Sequence, residues 1–288
     1  MKEERMNKIK QVFICYPGGN ITAIVKDRVP RELQPVVAQK IMGIYNQKRS
    51  KTGQIEQITF EEKPIDKKAL SRLQLAGGEF SGNAILCFAF LKLCFGKKLK
   101  KPESALFEVS GAKSLLKAIV YPNGLISSQM PIPRKLDRIN LTKEGFRVIS
   151  LRGITQIVVN KFYYQNGDFQ KKKAIEIIKN NNLKSKLATG VLFIKKTSKK
   201  IKMKPYVYFK KGLKYKLYKE TACGSGSTAV GISEFFLRKT AIKNLEIIQP
   251  TGSSILVTVK KQDGQLKAWI KSRVKILYQE SLSLPNQI

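Results

Sequence analysis

Two short runs of small residues carry the chemistry that this sequence can perform. The first is Gly77-Gly78-Glu79-Phe80-Ser81-Gly82-Asn83-Ala84, and the second is Glu220-Thr221-Ala222-Cys223-Gly224-Ser225-Gly226. Each enters an apolar stretch, Ala84–Leu93 and Ala229–Leu237, so each reads as a tight turn that opens a helix. The first amides of a helix lack intrahelical partners and carry partial positive charge, so a carboxylate can sit there. A thiol at such an end is expected to ionise more readily than a free one, which would make Cys223 a base near neutral pH. A proton donor and acceptor placed around an anchored carboxylate are what inversion of an amino-acid α-carbon requires, because one face loses the proton and the other regains it. The amides that hold the carboxylate would also stabilise the carbanion-like charge, and no cofactor is needed.

Composition narrows the alternatives. The chain has 288 residues and no histidine, so Ser-His-Asp and Cys-His chemistry and histidine-rich metal sites are excluded. Four cysteines, Cys15, Cys87, Cys94 and Cys223, are too irregularly spaced for a disulfide framework or a zinc site, and no metal is expected. The net charge of +35 raises nucleic-acid binding as a possibility. The lysines are scattered over both halves, however, in Lys97-Lys98, Lys100-Lys101, Lys171-Lys172-Lys173, Lys195-Lys196, Lys199-Lys200 and Lys210-Lys211, and no nucleic-acid motif accompanies them. A solvated lysine-rich surface is the better reading. The N-terminal Met1-Lys2-Glu3-Glu4-Arg5 is charged and no window reaches the length of a membrane span, so a cytoplasmic protein without membrane contact is expected.

The elements that must position these runs repeat. Gln11–Cys15 and Ile21–Val25 read as a strand pair around the turn Pro17-Gly18-Gly19-Asn20, and Pro30 suits the first turn of a helix carrying Leu33, Val37, Ile41 and Ile44. Strands follow at Ile55–Glu61, Arg72–Leu75, Ala105–Val109, Ser114–Val120 and Leu125–Met130. Ala84–Leu91 is apolar on every side and should run through the middle of a domain. In the second half a strand at Ile154–Val158 repeats Ile21–Val25 at an offset of 133 residues (Ile21 to Ile154). A helix near Lys171–Asn180 and strands at Val191–Lys195 and Tyr206–Phe209 follow it. Cys223 follows Ser81 by 142 residues, and Gly252–Leu256 follows Gly111–Leu116 by 140 (Ser114 to Ser254). Three landmarks in one order at nearly one offset argue for duplication of an α+β unit. The prolines of Met130-Pro131-Ile132-Pro133-Arg134 mark the boundary, giving an N-terminal lobe over 1–132 with Ser81 and a C-terminal lobe over 133–288 with Cys223. The last strand is a candidate to return to the N-terminal lobe. Facing lobes would set Ser81 and Cys223 on opposite sides of a cleft.

Gly18-Gly19-Asn20 and the two runs together resemble the cofactor-independent diaminopimelate epimerases and their amino-acid racemase relatives. The Gly-Gly-Glu-Phe form of the first run is most similar to the histidine racemases of opine-type metallophore pathways. The resemblance implies two pseudo-symmetric lobes, each a sheet wrapped around a central helix. It also implies an isomerase that uses two cysteines as acid and base, and a homodimer. By that match Ser81 and Cys223 take the catalytic positions, and Asn20, Gly82, Asn83, Glu220, Gly224 and Ser225 are substrate-contact candidates. Glu220 has the alternative of capping or of pairing with Lys219, and Asn20 that of a plain turn residue.

Two departures qualify the match. The first position is serine, which cannot rest as a base; the readings are a one-thiol variant, an engineered Cys→Ser change or a decayed site. The Trp-Glu-Arg-Gly segment that grips the far end of diaminopimelate is absent, with Tyr215-Lys216-Leu217-Tyr218-Lys219 running straight into Glu220, so diaminopimelate is disfavoured and histidine leads by resemblance. The alternatives are a one-thiol lyase or isomerase on the same fold and a non-catalytic amino-acid or nucleic-acid binding protein.

Overall fold

The structure, a computed structural model, describes residues 8–47, 53–133, 139–161, 167–184, 186, 188–197, 200–211 and 214–283. The N-terminal Met1–Arg5, Arg134 of the proline segment and Lys199 lie outside the described residues. The chain divides into one unit of residues 1–127 and 273–288 and another of residues 128–272.

In the first unit the elements are β1 (Lys8–Tyr16), β2 (Thr22–Val25), α1 (Gln34–Asn46), β3 (Gln57–Glu62), β4 (Ser71–Leu75), α2 (Gly82–Leu93), β5 (Glu103–Val109) and β6 (Leu116–Val120). The chain leaves this unit within β7 (Leu125–Met130). The ladder runs β1 antiparallel to β2, β2 parallel to β3, β3 antiparallel to β4, β4 parallel to β5 and β5 antiparallel to β6. The β1–β2 turn holds Gly18, Gly19 and Asn20 all at positive φ, 95°, 128° and 53°. A left-handed run of this kind favours glycine and tolerates asparagine, which explains the sequence there. Helix α1 begins at Gln34 with Pro35, not Pro30, in its first turn. Its Val37, Ile41 and Tyr45 bury against Ile9, Val12, Ile14, Ile58 and Phe60.

The second unit contains β8 (Asn140–Leu141), β9 (Arg147–Leu151), β10 (Ile154–Val159), α3 (Gly167–Asn180), β11 (Ala188–Lys196), β12 (Lys200–Lys211), β13 (Lys214–Lys219), α4 (Gly224–Arg238), β14 (Ile242–Ile248), β15 (Ser254–Gln262) and β16 (Gln265–Arg273). Its ladder repeats the first: β9 antiparallel to β10, β10 parallel to β11, β11 antiparallel to β12, β12 parallel to β14 and β14 antiparallel to β15. Strand for strand and helix for helix, β9, β10, α3, β11, β12, α4, β14 and β15 stand where β1, β2, α1, β3, β4, α2, β5 and β6 stand. Between the strand and the central helix the second unit carries an insertion, β13. Where β4 leads by a short turn into α2, β12 folds back as a hairpin with β13 (Val207 opposite Tyr218) before the chain reaches α4. Phe209 and Tyr218 stack across this hairpin with ring centroids 4.9 Å apart.

The last strand, β17 (Lys275–Ser283), pairs antiparallel with β1 from Lys8 opposite Ser283 to Tyr16 opposite Lys275, within the first unit. The architecture is α+β, a mixed sheet with four helices among the described residues. Each unit has one surface helix and one central helix. Helix α2 packs on β2, β5 and β6 and buries Gly82 through Ala89 without a break, and α4 packs on β9, β10, β14 and β15 and buries Gly226 through Glu234. Among the described residues no helix is long and apolar enough to cross a membrane.

Candidate active site

Both runs of small residues open the central helices, and both do so with the same local geometry. Ser81 is the N-cap of α2 at φ −131°, ψ 121°, and its Oγ accepts from the Ala84 amide at 3.2 Å. Cys223 is the N-cap of α4 at φ −138°, ψ 105°, and its Sγ accepts from the Gly226 amide at 3.2 Å. In each helix the fourth amide goes to the carbonyl of the cap, Ile85 to Ser81 and Ser227 to Cys223. A single side-chain atom therefore sits over the positive end of each helix, at Ser81 as oxygen and at Cys223 as sulfur.

The residue after the equivalent strand fastens the chain at the entry to each central helix. Following β5, Ser110 Oγ accepts from Leu75 N at 2.9 Å and donates to the Glu79 carbonyl at 2.7 Å. Following β14, Gln249 Oε1 accepts from Cys223 N at 3.0 Å while its Nε2 donates to Ser227 Oγ at 3.0 Å. Ser227 Oγ in turn donates to the Cys223 carbonyl at 2.8 Å. These bonds hold the segment leading into α2 and the cap of α4 in place, and sequence reasoning missed both Ser110 and Gln249. The only available signal was their common place just before the glycine turns at Gly111 and Gly252, which have φ of 73° and 84°.

Around the Cys223 sulfur the structure brings together Glu220, Ser225 and Gly226. The thiol hydrogen-bonds the Glu220 carboxylate. Ser225 Oγ lies 3.4 Å from Sγ, and the Gly226 amide donates to it. Glycine at 226 leaves room for the sulfur, since a Cβ there would lie 2.9 Å from Leu192 Cδ2 and 3.0 Å from Sγ and one of them would have to shift. Cys223 is 4 % exposed. Burial is the largest influence on its thiol and pushes it well above the ordinary value, and the Glu220 charge and hydrogen bond push the same way. Ser225 and Gly226 pull it down without overcoming them. This corrects the expectation of a resting thiolate: the helix end contributes, but desolvation and a neighbouring carboxylate outweigh it, and the sulfur rests protonated. Glu220 is likewise not simply a partner of Lys219, since its carboxylate meets the sulfur.

In the first unit Gly82 and Asn83 share the first turn of α2 with Ser81, and all three are buried. Asn20 lies in the β1–β2 turn, 5 % exposed, with its carbonyl accepting from Thr22 Oγ1 at 3.0 Å. Cys87, one turn further along α2, interacts with Cys15 and Thr22 on either side of that turn and so ties it to the helix. Burial first, and then Cys15, push the Cys87 thiol well above its ordinary value, which suits a core residue better than an acid–base group. Among the described residues no three His, Cys, Asp or Glu side chains cluster as a metal site would require.

Comparison with known proteins bears on the whole length. Residues 10–280 match the family described as the histidine racemase CntK N-terminal domain. A histidine racemase of Fusobacterium nucleatum is 29% identical over 247 residues, covering 82% of this chain and 84% of that protein. A histidine racemase of Staphylococcus aureus is 23% identical over 266 residues, covering 89% and 91%. Among solved structures, a hydroxyproline epimerase from Agrobacterium vitis with bound trans-4-hydroxy-L-proline has a TM-score of 0.66 at 13% identity, covering 99% of this chain and 95% of that one. A phenazine biosynthesis protein of the PhzF family from Bacillus anthracis has a TM-score of 0.62 at 14% identity, covering 96% and 99%. The structural likenesses show the fold, and the family match adds the chemistry: the chain belongs to the histidine racemase family and is an isomerase of the amino-acid racemase and epimerase kind.

Proposed function

We propose that this chain interconverts the two enantiomers of histidine without a cofactor, with Cys223 and Ser81 as its two acid–base residues. The observation that carries the reading is the set of contacts at the Cys223 sulfur, with one carboxylate to take its proton and two donors to hold the resulting anion. The thiol passes its proton to Glu220. The sulfur anion, held by Gly226 N–H and the Ser225 hydroxyl, then removes the α-proton. Backbone amides at a helix end take the substrate carboxylate, the candidates being Gly82 and Asn83 of α2 and Gly224 and Ser225 of α4, with Asn20 as a further contact candidate. Charge developing on that carboxylate is thereby stabilised, a role in which one donor can be worth about 10²–10³ in rate.

Ser81 returns a proton to the carbanion from its hydroxyl and recovers one from water. A serine is too weak an acid to rest as a base, so removal of the α-proton from its side is slow, and exchange at the Cys223 face outpaces inversion. This asymmetry favours a one-thiol isomerase as the second reading. Histidine is favoured as substrate by the family match and by the relatives named above. The same resemblance supports a place in opine-type metallophore biosynthesis and a homodimer, the last checked by sedimentation, while the charged Met1–Arg5 run and the lack of a membrane-length apolar window support a cytoplasmic location.

The test is incubation of L- and D-histidine in heavy water, with α-deuterium read by mass spectrometry and configuration by chiral chromatography. Exchange into both is expected, and Cys223→Ser should abolish it. A protein that exchanges another amino acid but not histidine overturns the substrate assignment, and undiminished exchange in Cys223→Ser overturns the base.

A further inference from the structure

Gln156 has no role in the chemistry above, yet it is wholly buried and its side chain reaches the hydroxyl beside the reactive sulfur. It lies in β10, and its Nε2 donates to Ser225 Oγ at 3.1 Å. The other end of the amide, Oε1, is buried with no hydrogen-bond partner among the described residues. Its neighbour across the parallel ladder, in register with it on β11, is Gly190. A Cβ at 190 would fall 1.8 Å from Oε1, so any other residue there would drive the amide out. An unsatisfied buried carbonyl and a glycine inside a strand both cost stability. The fold tolerates both to keep this amide where it is, and what the amide touches is Ser225.

A serine hydroxyl has one proton and two lone pairs. Gln156 fills one acceptor site on Ser225 Oγ, which leaves the proton of that hydroxyl free to point to its other neighbour, Cys223 Sγ at 3.4 Å. We propose that Gln156 is a positioning residue for Cys223: by donating to Ser225 it makes the Ser225 hydroxyl a donor to sulfur, and so holds the sulfur as an anion during proton transfer. The catalytic meaning of this relay rests on the function proposed above, whereas the direction of the hydrogen bonds does not. Glu220 is the ionisable group that acts on Cys223. Gln156 from β10, Leu192 from β11 and Gln249 beyond β14, which pack around the cap, bring no charge.

An acceptor-only side chain at this position would reverse the relay, since Ser225 would then donate to it and offer sulfur only a lone pair. The test is a pH titration of thiolate ultraviolet absorbance in the full chain, each variant being read as the difference from a matched protein carrying Cys223→Ala. Gln156→Glu should lower the thiolate fraction at a given pH about tenfold, the value of one hydrogen bond to a charged group. Gln156→Met, which removes the donor without adding charge, should give a smaller fall in the same direction. Ser225→Ala should match Gln156→Glu, and adding Gln156→Glu to Ser225→Ala should do nothing more. If the Gln156→Glu effect persists in full beside Ser225→Ala, it is through-space charge and the relay is wrong. A Gln156→Met titration identical to that of the unaltered protein also overturns it. The titration needs no substrate, so its outcome stands apart from the histidine assignment. On histidine, the relay further predicts that Gln156→Glu slows α-proton exchange through kcat with KM unchanged.

Discussion

Replacing Glu220 by glutamine should separate two properties of Cys223 that usually move together, how readily it ionises and how fast the protein turns over. Burial is the first cause of the thiol's raised position, and it stays in the variant. The second and third causes, the Glu220 charge and the hydrogen bond to that charge, go, leaving at most a neutral amide acceptor. A hydrogen bond to a charged group is worth about 1.5–3 kcal/mol, which corresponds to a factor of about ten to a hundred in ionised fraction. Cys223 is 4 % exposed and feels the full interaction, but Glu220 is only part-buried and partly screened, so the lower end applies. The thiolate fraction at a fixed pH should therefore rise about tenfold. Turnover should move the other way. A glutamine amide cannot accept the thiol proton, and loss of a positioned acid–base partner costs about 10²–10⁴ in rate. Thiolate absorbance against a Cys223→Ala blank reads the first quantity, and α-deuterium uptake into histidine reads the second. If both rise, Glu220 merely suppresses the thiol; if both fall, it serves the structure of the cap. Either result refutes its assignment as the proton acceptor.

Ser81→Cys should raise inversion by about 10²-fold or more while leaving affinity for histidine unchanged, as chiral chromatography and calorimetric titration would show; an unchanged inversion rate makes the serine the functional group and the one-thiol reading the better one. Gly226→Ala should cost about 1–3 kcal/mol through the contact with Leu192 and the sulfur, lowering Tm and abolishing exchange, and a variant with both intact would disprove the packing argument. On the acid side, burial raises the Glu62 carboxyl, but hydrogen bonds from Arg31 and Gln34 and the charges of Arg31 and Arg72 outweigh it and hold the group below the usual range. Its stabilising contribution is complete above an unfolded value of about 4.3 and is lost as pH falls through the lower folded value. Urea unfolding over that range should show a flatter decline for Glu62→Gln, and parallel curves would remove Glu62 from the account.

What could be read without coordinates was whatever is local in the chain. The Gly18-Gly19-Asn20 turn, the helix starts at Ser81 and Cys223 and the all-round apolar α2 each announce themselves within a few residues, and the repeat is visible because both copies kept the Ile-Thr-x-Ile-Val strand, the small-residue helix start and the later glycine-led strand. Long-range partners are invisible for the opposite reason. Gln156 acts on a hydroxyl 69 residues away and Gln249 on an amide 26 residues away, and a lone glutamine on or after a strand has no pattern to mark it. The resting state of Cys223 was misjudged on the same ground, because the helix end is a local feature whereas the burial that overrides it comes from the whole unit. The β12–β13 hairpin was missed for a different reason. Lys210, Lys211, Lys214, Lys216 and Lys219 interrupt the apolar alternation, so only Tyr206–Phe209 read as strand, although backbone pairing continues through the lysines.

The ladder between β1 and β17 has a consequence for biosynthesis. Residues 128–272 form an uninterrupted segment, whereas the first unit draws its outermost strand from residues 275–283. On the ribosome, β1 emerges before its partner, which follows only after the entire second unit has been made. Throughout that interval Val12, Phe13 and Ile14, buried in the finished protein, belong to a strand with one edge unpaired. Unpaired edges of this kind template association with other chains. The unit begun before the other is thus completed after it, and the nascent chain is most exposed to misassembly at β1.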